Sequence, residues 1–95
     1  MLHTLMHSPA YSDLDTLLLL LNAEDDVLLM QDGVFAALNG SRALARLLST
    51  PATLWVLEED LMARGLAEQT STKIQPVNYN GFVALTEKHS QQMTW

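Results

Sequence analysis

The run Thr53-Leu54-Trp55-Val56-Leu57 passes, with no turn residue between, into Glu58-Glu59-Asp60-Leu61-Met62-Ala63-Arg64, and Gly65 follows. The first half is apolar and rich in β-favouring residues. The second half opens with acidic side chains, which suit the first turn of a helix, and ends at a glycine, which suits its C-terminus. A strand feeding directly into a helix is the building unit of α/β sheets. It puts the junction at the carboxyl end of a strand, where such folds keep their sites. This junction offers three carboxylates, Glu58, Glu59 and Asp60, and no nucleophile.

The same alternation runs along the whole chain. Leu2 to Met6 is expected as a first strand, closed by His7-Ser8-Pro9. Ser12, with Asp15 three residues on, is expected to cap a helix that runs to about Asn22. Leu14, Leu17, Leu18 and Leu21 form its inner stripe at helical spacing. Leu19 and Leu20 fall outside that stripe, so the helix is apolar nearly all round and is expected to be covered on a second side by another subunit. Ala23 to Asp26 is expected as a turn. Val27 to Met30 is a continuous apolar run, as in a strand covered on both faces, and ends at Gln31-Asp32-Gly33.

A short helical stretch through Val34 to Ala37 leads to the turn Asn39-Gly40. Ser41 can cap a second helix with Ala43, Leu44, Leu47 and Leu48 inward and Arg42 and Arg46 outward, stopped by Pro51. Ala67 to Lys73 is loop-like. Ile74 to Val77 is a short fourth strand, weakened by Pro76. Tyr79 to Ser90 follows as a last helix with Tyr79, Phe82, Leu85, Thr86 and His89 on one side, and Gln91 to Trp95 as an edge strand. The expected class is α/β: a three-layer α/β/α arrangement with a mostly parallel central sheet of four or five strands, formed by residues 1–95 as one domain.

Composition narrows the function. Ninety-five residues support only a modest core, yet 48% of them are hydrophobic, more apolar surface than so short a chain readily buries alone. The formal net charge is −6, with five Lys and Arg. Nucleic-acid binding depends on phosphate neutralisation, so no direct contact with RNA or DNA is expected. There is no cysteine, which excludes disulfides, thiolate metal sites and sulfur carried on this chain, and fits a reducing cytoplasm. The start has no basic segment of a targeting signal, and the longest leucine run, Leu17 to Leu21, falls far short of the ~20 residues that span a bilayer.

Few residues suggest chemistry. His3 and His7 are four apart, but on a strand their side chains stand roughly 13 Å from each other, so no metal site is expected. His89, on the inner stripe of the last helix, is expected to be a hydrogen-bonded, partly buried histidine. Glu58, Glu59 and Asp60 suit the positive end of a helix dipole. Their functional reading is an acidic lip that docks a partner, joined on the same sheet edge by Asp32-Gly33 and by His7-Ser8. Gly40-Ser41 is a weak anion-site signal, with no glycine-rich loop or lysine beside it. Trp95 is either a partner anchor or tucked into its own domain.

Several segments together resemble one family. The opening Met1-Leu2-His3-Thr4-Leu5, Ser8-Pro9, the run from Leu28 to Val34, the run from Leu57 to Leu66, and the ending Lys88 to Trp95 are similar to the DsrH branch of the DsrE/DsrF/DsrH-like proteins, in order and over essentially the whole length. The resemblance implies a part in the sulfur relay that thiolates the wobble uridine of certain tRNAs at its 2-position. It implies homologous TusC-like and TusD-like partner subunits in a dimer of heterotrimers, and TusA-like and TusE-like sulfur carriers that visit the complex. In TusD-like chains the strand-to-helix corner holds the sulfur-bearing cysteine. Here the matching region, about Leu57 to Asp60, has no thiol.

The expected role is therefore a non-catalytic subunit without metal or cofactor. Asp32, Gly33, Glu58, Glu59 and Asp60 are the site-edge or docking candidates, and Leu19, Leu20 and Trp95 the interface candidates. An anionic lip raises the pKa of a nearby thiol, so these carboxylates are expected to face a carrier protein rather than touch a nucleophile. Two rival readings remain: a small hydrolase or transferase using His89 with a carboxylate, which requires His89 to be accessible in the strand-end cleft, and a free-standing homo-oligomeric scaffold.

Overall fold

The computed structural model describes all 95 residues. Five strands, β1 (Leu2–Leu5), β2 (Asp26–Leu29), β3 (Thr53–Leu57), β4 (Gln75–Val77) and β5 (Gln92–Thr94), form one sheet. Every pairing is parallel, in the order β4-β3-β2-β1-β5. The helices are α1 (Leu14–Leu20), α2 (Arg42–Leu48), α3 (Glu58–Ala63) and α4 (Tyr79–Lys88), with a 3-10 segment at Gln31–Ala37. No helix is long and apolar enough to cross a membrane.

Strand order decides where the helices lie. From β1 to β4 the chain steps across the sheet in one direction, so right-handed crossovers put the intervening helices on one face. The core on that face joins Leu5, Val27, Leu29, Leu54 and Val56 of the strands to Leu14, Leu17, Leu44, Leu47 and Leu61 of α1, α2 and α3. From β4 the chain must return across the whole sheet to β5, and α4 lies on the opposite face. There Leu2, Leu28 and Leu57 meet Leu85, with Phe82 and Trp55 partly buried beside them. The central strands β1 and β2 are buried along their whole length, as the apolar run from Val27 requires.

Local chemistry sets most boundaries. Ser41 caps α2 by accepting from the Leu44 amide. Pro76 is confined to β4, an edge strand, where a missing N–H is tolerated. Gly65 has φ of 66° and ends the turn after α3 in the left-handed conformation that glycine adopts readily.

Three expectations need correction. Asp13, not Ser12, caps α1, its carboxylate accepting from the Thr16 amide, while the Ser12 hydroxyl donates back to the carbonyls of His7 and Ser8. The expected turn before β2 gives up its last residue to the sheet: Asp26 is the first residue of the strand, and both it and Asp25 are buried. The helical stretch after β2 is longer than expected, beginning at Gln31.

Candidate functional site

Parallel strands bring the ends of β2 and β3 side by side, and the acidic residues that follow them meet there. Arg64, one turn after Asp60 on α3, donates from Nη2 and Nε to Asp32 Oδ1 at 2.9 and 3.2 Å, and from Nη1 to the Asp60 carbonyl at 3.1 Å. The Asp60 carboxylate accepts from the backbone N–H of Gln31. That bond holds Gln31 at φ 51°, a left-handed conformation unfavourable for a residue with a side chain by about 1–2 kcal/mol. Asp32, Asp60 and Arg64 thus pin the segment after β2 to α3.

Gly33 is fixed by close approach. A Cβ there would lie 1.9 Å from the carbonyl oxygen of Leu5, so the 3-10 segment passes over the end of β1 at a distance only glycine allows. Glu59 reaches across a topological switch: the chain leaves β3 for α3 on one face and β4 for α4 on the other, which opens a crevice between those two strand ends. The Glu59 Oε2 accepts from the Tyr79 amide at 2.9 Å and so ties the start of α3 to the start of α4.

Glu58 stands apart. It is exposed, has no hydrogen-bonded or ionic partner within the chain, and lies at the rim of an open groove of about 460 Å³ between α3 and the loop leading to β4. Of the five expected site-edge residues, Asp32 and Asp60 are joined through Arg64, Gly33 packs on the end of β1, Glu59 braces α4, and Glu58 alone presents an unengaged carboxylate. His7, expected on the same edge, turns the other way: its Nδ1 donates to the Trp95 carbonyl at 3.1 Å.

The interface candidates divide. Leu19 is 87% exposed and Leu20 45%, on the side of α1 away from the core. Trp95 is half-buried against the core, and its indole Nε1 donates to Nδ1 of buried His3 at 3.2 Å. An indole nitrogen can only donate, so His3 Nδ1 accepts and the ring proton sits on Nε2. That nitrogen faces Asp25 Oδ2 at 3.4 Å.

Reasoning from sequence missed Arg64 as the organiser of this corner, although Asp60 and Arg64 stand at the i, i+4 spacing of a helical ion pair. It also missed the two buried aspartates at the opposite, amino end of the sheet. Burial by itself would raise the Asp26 pKa. Hydrogen bonds from Lys88 Nζ (2.8 Å), His89 Nε2 (2.7 Å) and Trp55 Nε1 (2.9 Å) outweigh that and hold the carboxyl below its ordinary value. Asp25 is likewise lowered: burial opposes, while the Met1 ammonium at 2.9 Å and the Asn22 amide at 3.0 Å favour the charged form.

These contacts place His89. Its side chain is 8% exposed and bound to Asp26, at the end of the sheet opposite the strand-end cleft. The accessible cleft position that a His89-dependent catalyst requires is not met. No group of three or more His, Asp or Glu is arranged to hold a metal ion.

Fold and site together define a small parallel α/β protein whose strand-end corner is braced by carboxylates, in a chain without cysteine. The DsrH like protein family matches residues 7–92. Over 95 residues, the full length of both chains, the protein is 52% identical to Protein TusB of Yersinia pestis (strain Pestoides F) and to that of Yersinia pseudotuberculosis serotype O:1b (strain IP 31758). Its fold is similar to the solution structure of protein Tm0979 from Thermotoga maritima, with a TM-score of 0.69 and 28% identity over 96% of this chain and 97% of that one. It is also similar to the ychN protein from E. coli, with a TM-score of 0.78 over 99% and 97% of the two chains; at 15% identity this likeness shows the fold alone. The chain belongs to the DsrH-like protein family.

Proposed function

We propose that this protein is a non-catalytic subunit of a cytoplasmic sulfur-relay complex that supplies sulfur for 2-thiolation of the tRNA wobble uridine. The observation that carries the reading is the end-to-end match, at 52% identity, to relatives named TusB. Three features agree with it. A chain without cysteine leaves the persulfide to a partner. The net charge of −6 suits a subunit that does not itself hold tRNA. The exposed Leu19 and Leu20 suit a surface that a permanent neighbour covers.

The neighbours in this reading are TusC-like and TusD-like homologues in a dimer of heterotrimers, visited by TusA-like and TusE-like carriers. Leu19 and Leu20 serve assembly. Asp32, Gly33, Glu59 and Asp60 shape the strand-end corner from within, and Glu58 faces outward. Trp95 serves this chain's own fold first, because its indole N–H is already engaged by His3.

The test is purification of the tagged chain from its native cells, followed by identification and weighing of what accompanies it. Recovery in equal amounts with two small homologous chains, one bearing a cysteine, supports the reading. Recovery as a lone monomer or homo-oligomer overturns it.

A further inference from the structure

The groove beside Glu58 has a chemistry that names its occupant. Its floor is apolar: Ile74 is 1% exposed and Leu61 4%. Pro76 and Met62 line it too, and Met62 is 72% exposed. Its hydroxyls are largely engaged, since Thr70 donates to the Leu66 carbonyl at 2.9 Å and Ser71 Oγ accepts from the Lys73 amide at 3.1 Å. The Glu58 carboxylate is the groove's only charged group and has no partner in the chain. A lone anion above an apolar trough complements a side chain with an aliphatic stem and a cationic head.

We propose that this groove receives a lysine- or arginine-bearing segment, flanked by apolar residues, from a visiting sulfur-carrier protein. The proposal rests on the sulfur-relay reading above. A visiting carrier fits better than a permanent subunit for two reasons. The cores of permanent interfaces are depleted of charge, whereas this trough keeps an open carboxylate. The exposed leucines of α1, on a different element, already offer a surface suited to permanent assembly.

The experiment uses the complete three-subunit complex, assembled with wild-type, Glu58→Gln, Glu58→Lys or Met62→Ser forms of this chain. Carrier affinity is measured by calorimetry at low and moderate salt. All four complexes should assemble, because in this proposal the groove stays open in the complex and only the visiting carrier covers it. Glu58→Gln should raise the carrier Kd about threefold and flatten its salt dependence, as expected for one exposed ion pair. Glu58→Lys should raise it about tenfold or more by adding repulsion, and Met62→Ser should weaken binding without altering the salt dependence. A Kd unchanged by all three substitutions overturns the proposal. So does loss of assembly in Glu58→Lys, which would make the groove a subunit interface. Failure of the wild-type chain to assemble is a separate outcome and counts against the sulfur-relay reading itself.

Discussion

His89 Nε2 lies 2.7 Å from Asp26 Oδ2, joining the end of α4 to the first residue of β2. Trp55 and Lys88 donate to the same carboxylate, so one buried anion holds a central strand, its neighbour and the only helix on the second face of the sheet.

Asp26→Ala should destabilise the isolated chain by about 2–4 kcal/mol, because it leaves a partly buried indole N–H and a largely buried imidazole without their acceptor. Urea denaturation followed by circular dichroism measures this. A loss below about 0.5 kcal/mol, the range of ordinary surface substitutions, would show that the network contributes nothing net.

The same carboxyl sets an acid limit. Its folded-state pKa lies below the ordinary 3.8, so the unfolded chain takes up this proton first as pH falls. The stabilisation is complete above about 3.8 and is lost as pH drops through the lower folded-state value. Asp25 acts in the same direction. Wild-type stability should therefore fall steeply below pH 4, and Asp26→Asn should be less stable at pH 7 with a shallower acid decline. Parallel curves for the two proteins between pH 5 and pH 2.5 would remove Asp26 from the explanation.

The glycines separate steric from conformational demand. Gly33→Ala drives a Cβ into the Leu5 carbonyl and should cost about 3 kcal/mol or more, the upper end of overpacking effects. Gly65→Ala meets no neighbour and should cost only the left-handed conformation, about 1–2 kcal/mol. Thermal unfolding of the two variants ranks them, and equal losses would contradict the account.

How much of this was legible in the sequence depends on how local the cause is. The span of β3 and the end of α3 could be read directly, because a β-favouring run, an acidic first turn and Gly65 are adjacent signals. The residues of the acidic corner could be named for the same reason. Their division of labour could not: Asp32 meets Arg64 across 32 positions, and Glu59 meets Tyr79 across 20. Asp26 reads from sequence as the end of a turn, because the donors that make its burial tolerable lie 29, 62 and 63 positions away. The cap of α1 was displaced by one residue because Ser12 and Asp13 are both good caps, and the choice lay in which way the entering chain turned.

Leu19 and Leu20 test the assembly reading most directly. Both lie outside the core, so Leu19→Ser with Leu20→Ser should change the stability of the isolated chain by less than about 0.5 kcal/mol per site. If a permanent neighbour covers them, the double variant should be more soluble alone than the wild type and should fail to recover the homologous chains from its native cells. The contrast between these two measurements carries the argument. Lost recovery with an unchanged urea midpoint places the leucines in an interface. Normal recovery with an unchanged midpoint leaves them as isolated surface residues and moves the assembly surface elsewhere. A lowered midpoint would mean that these side chains pack in this chain's own fold, contrary to the 87% exposure of Leu19.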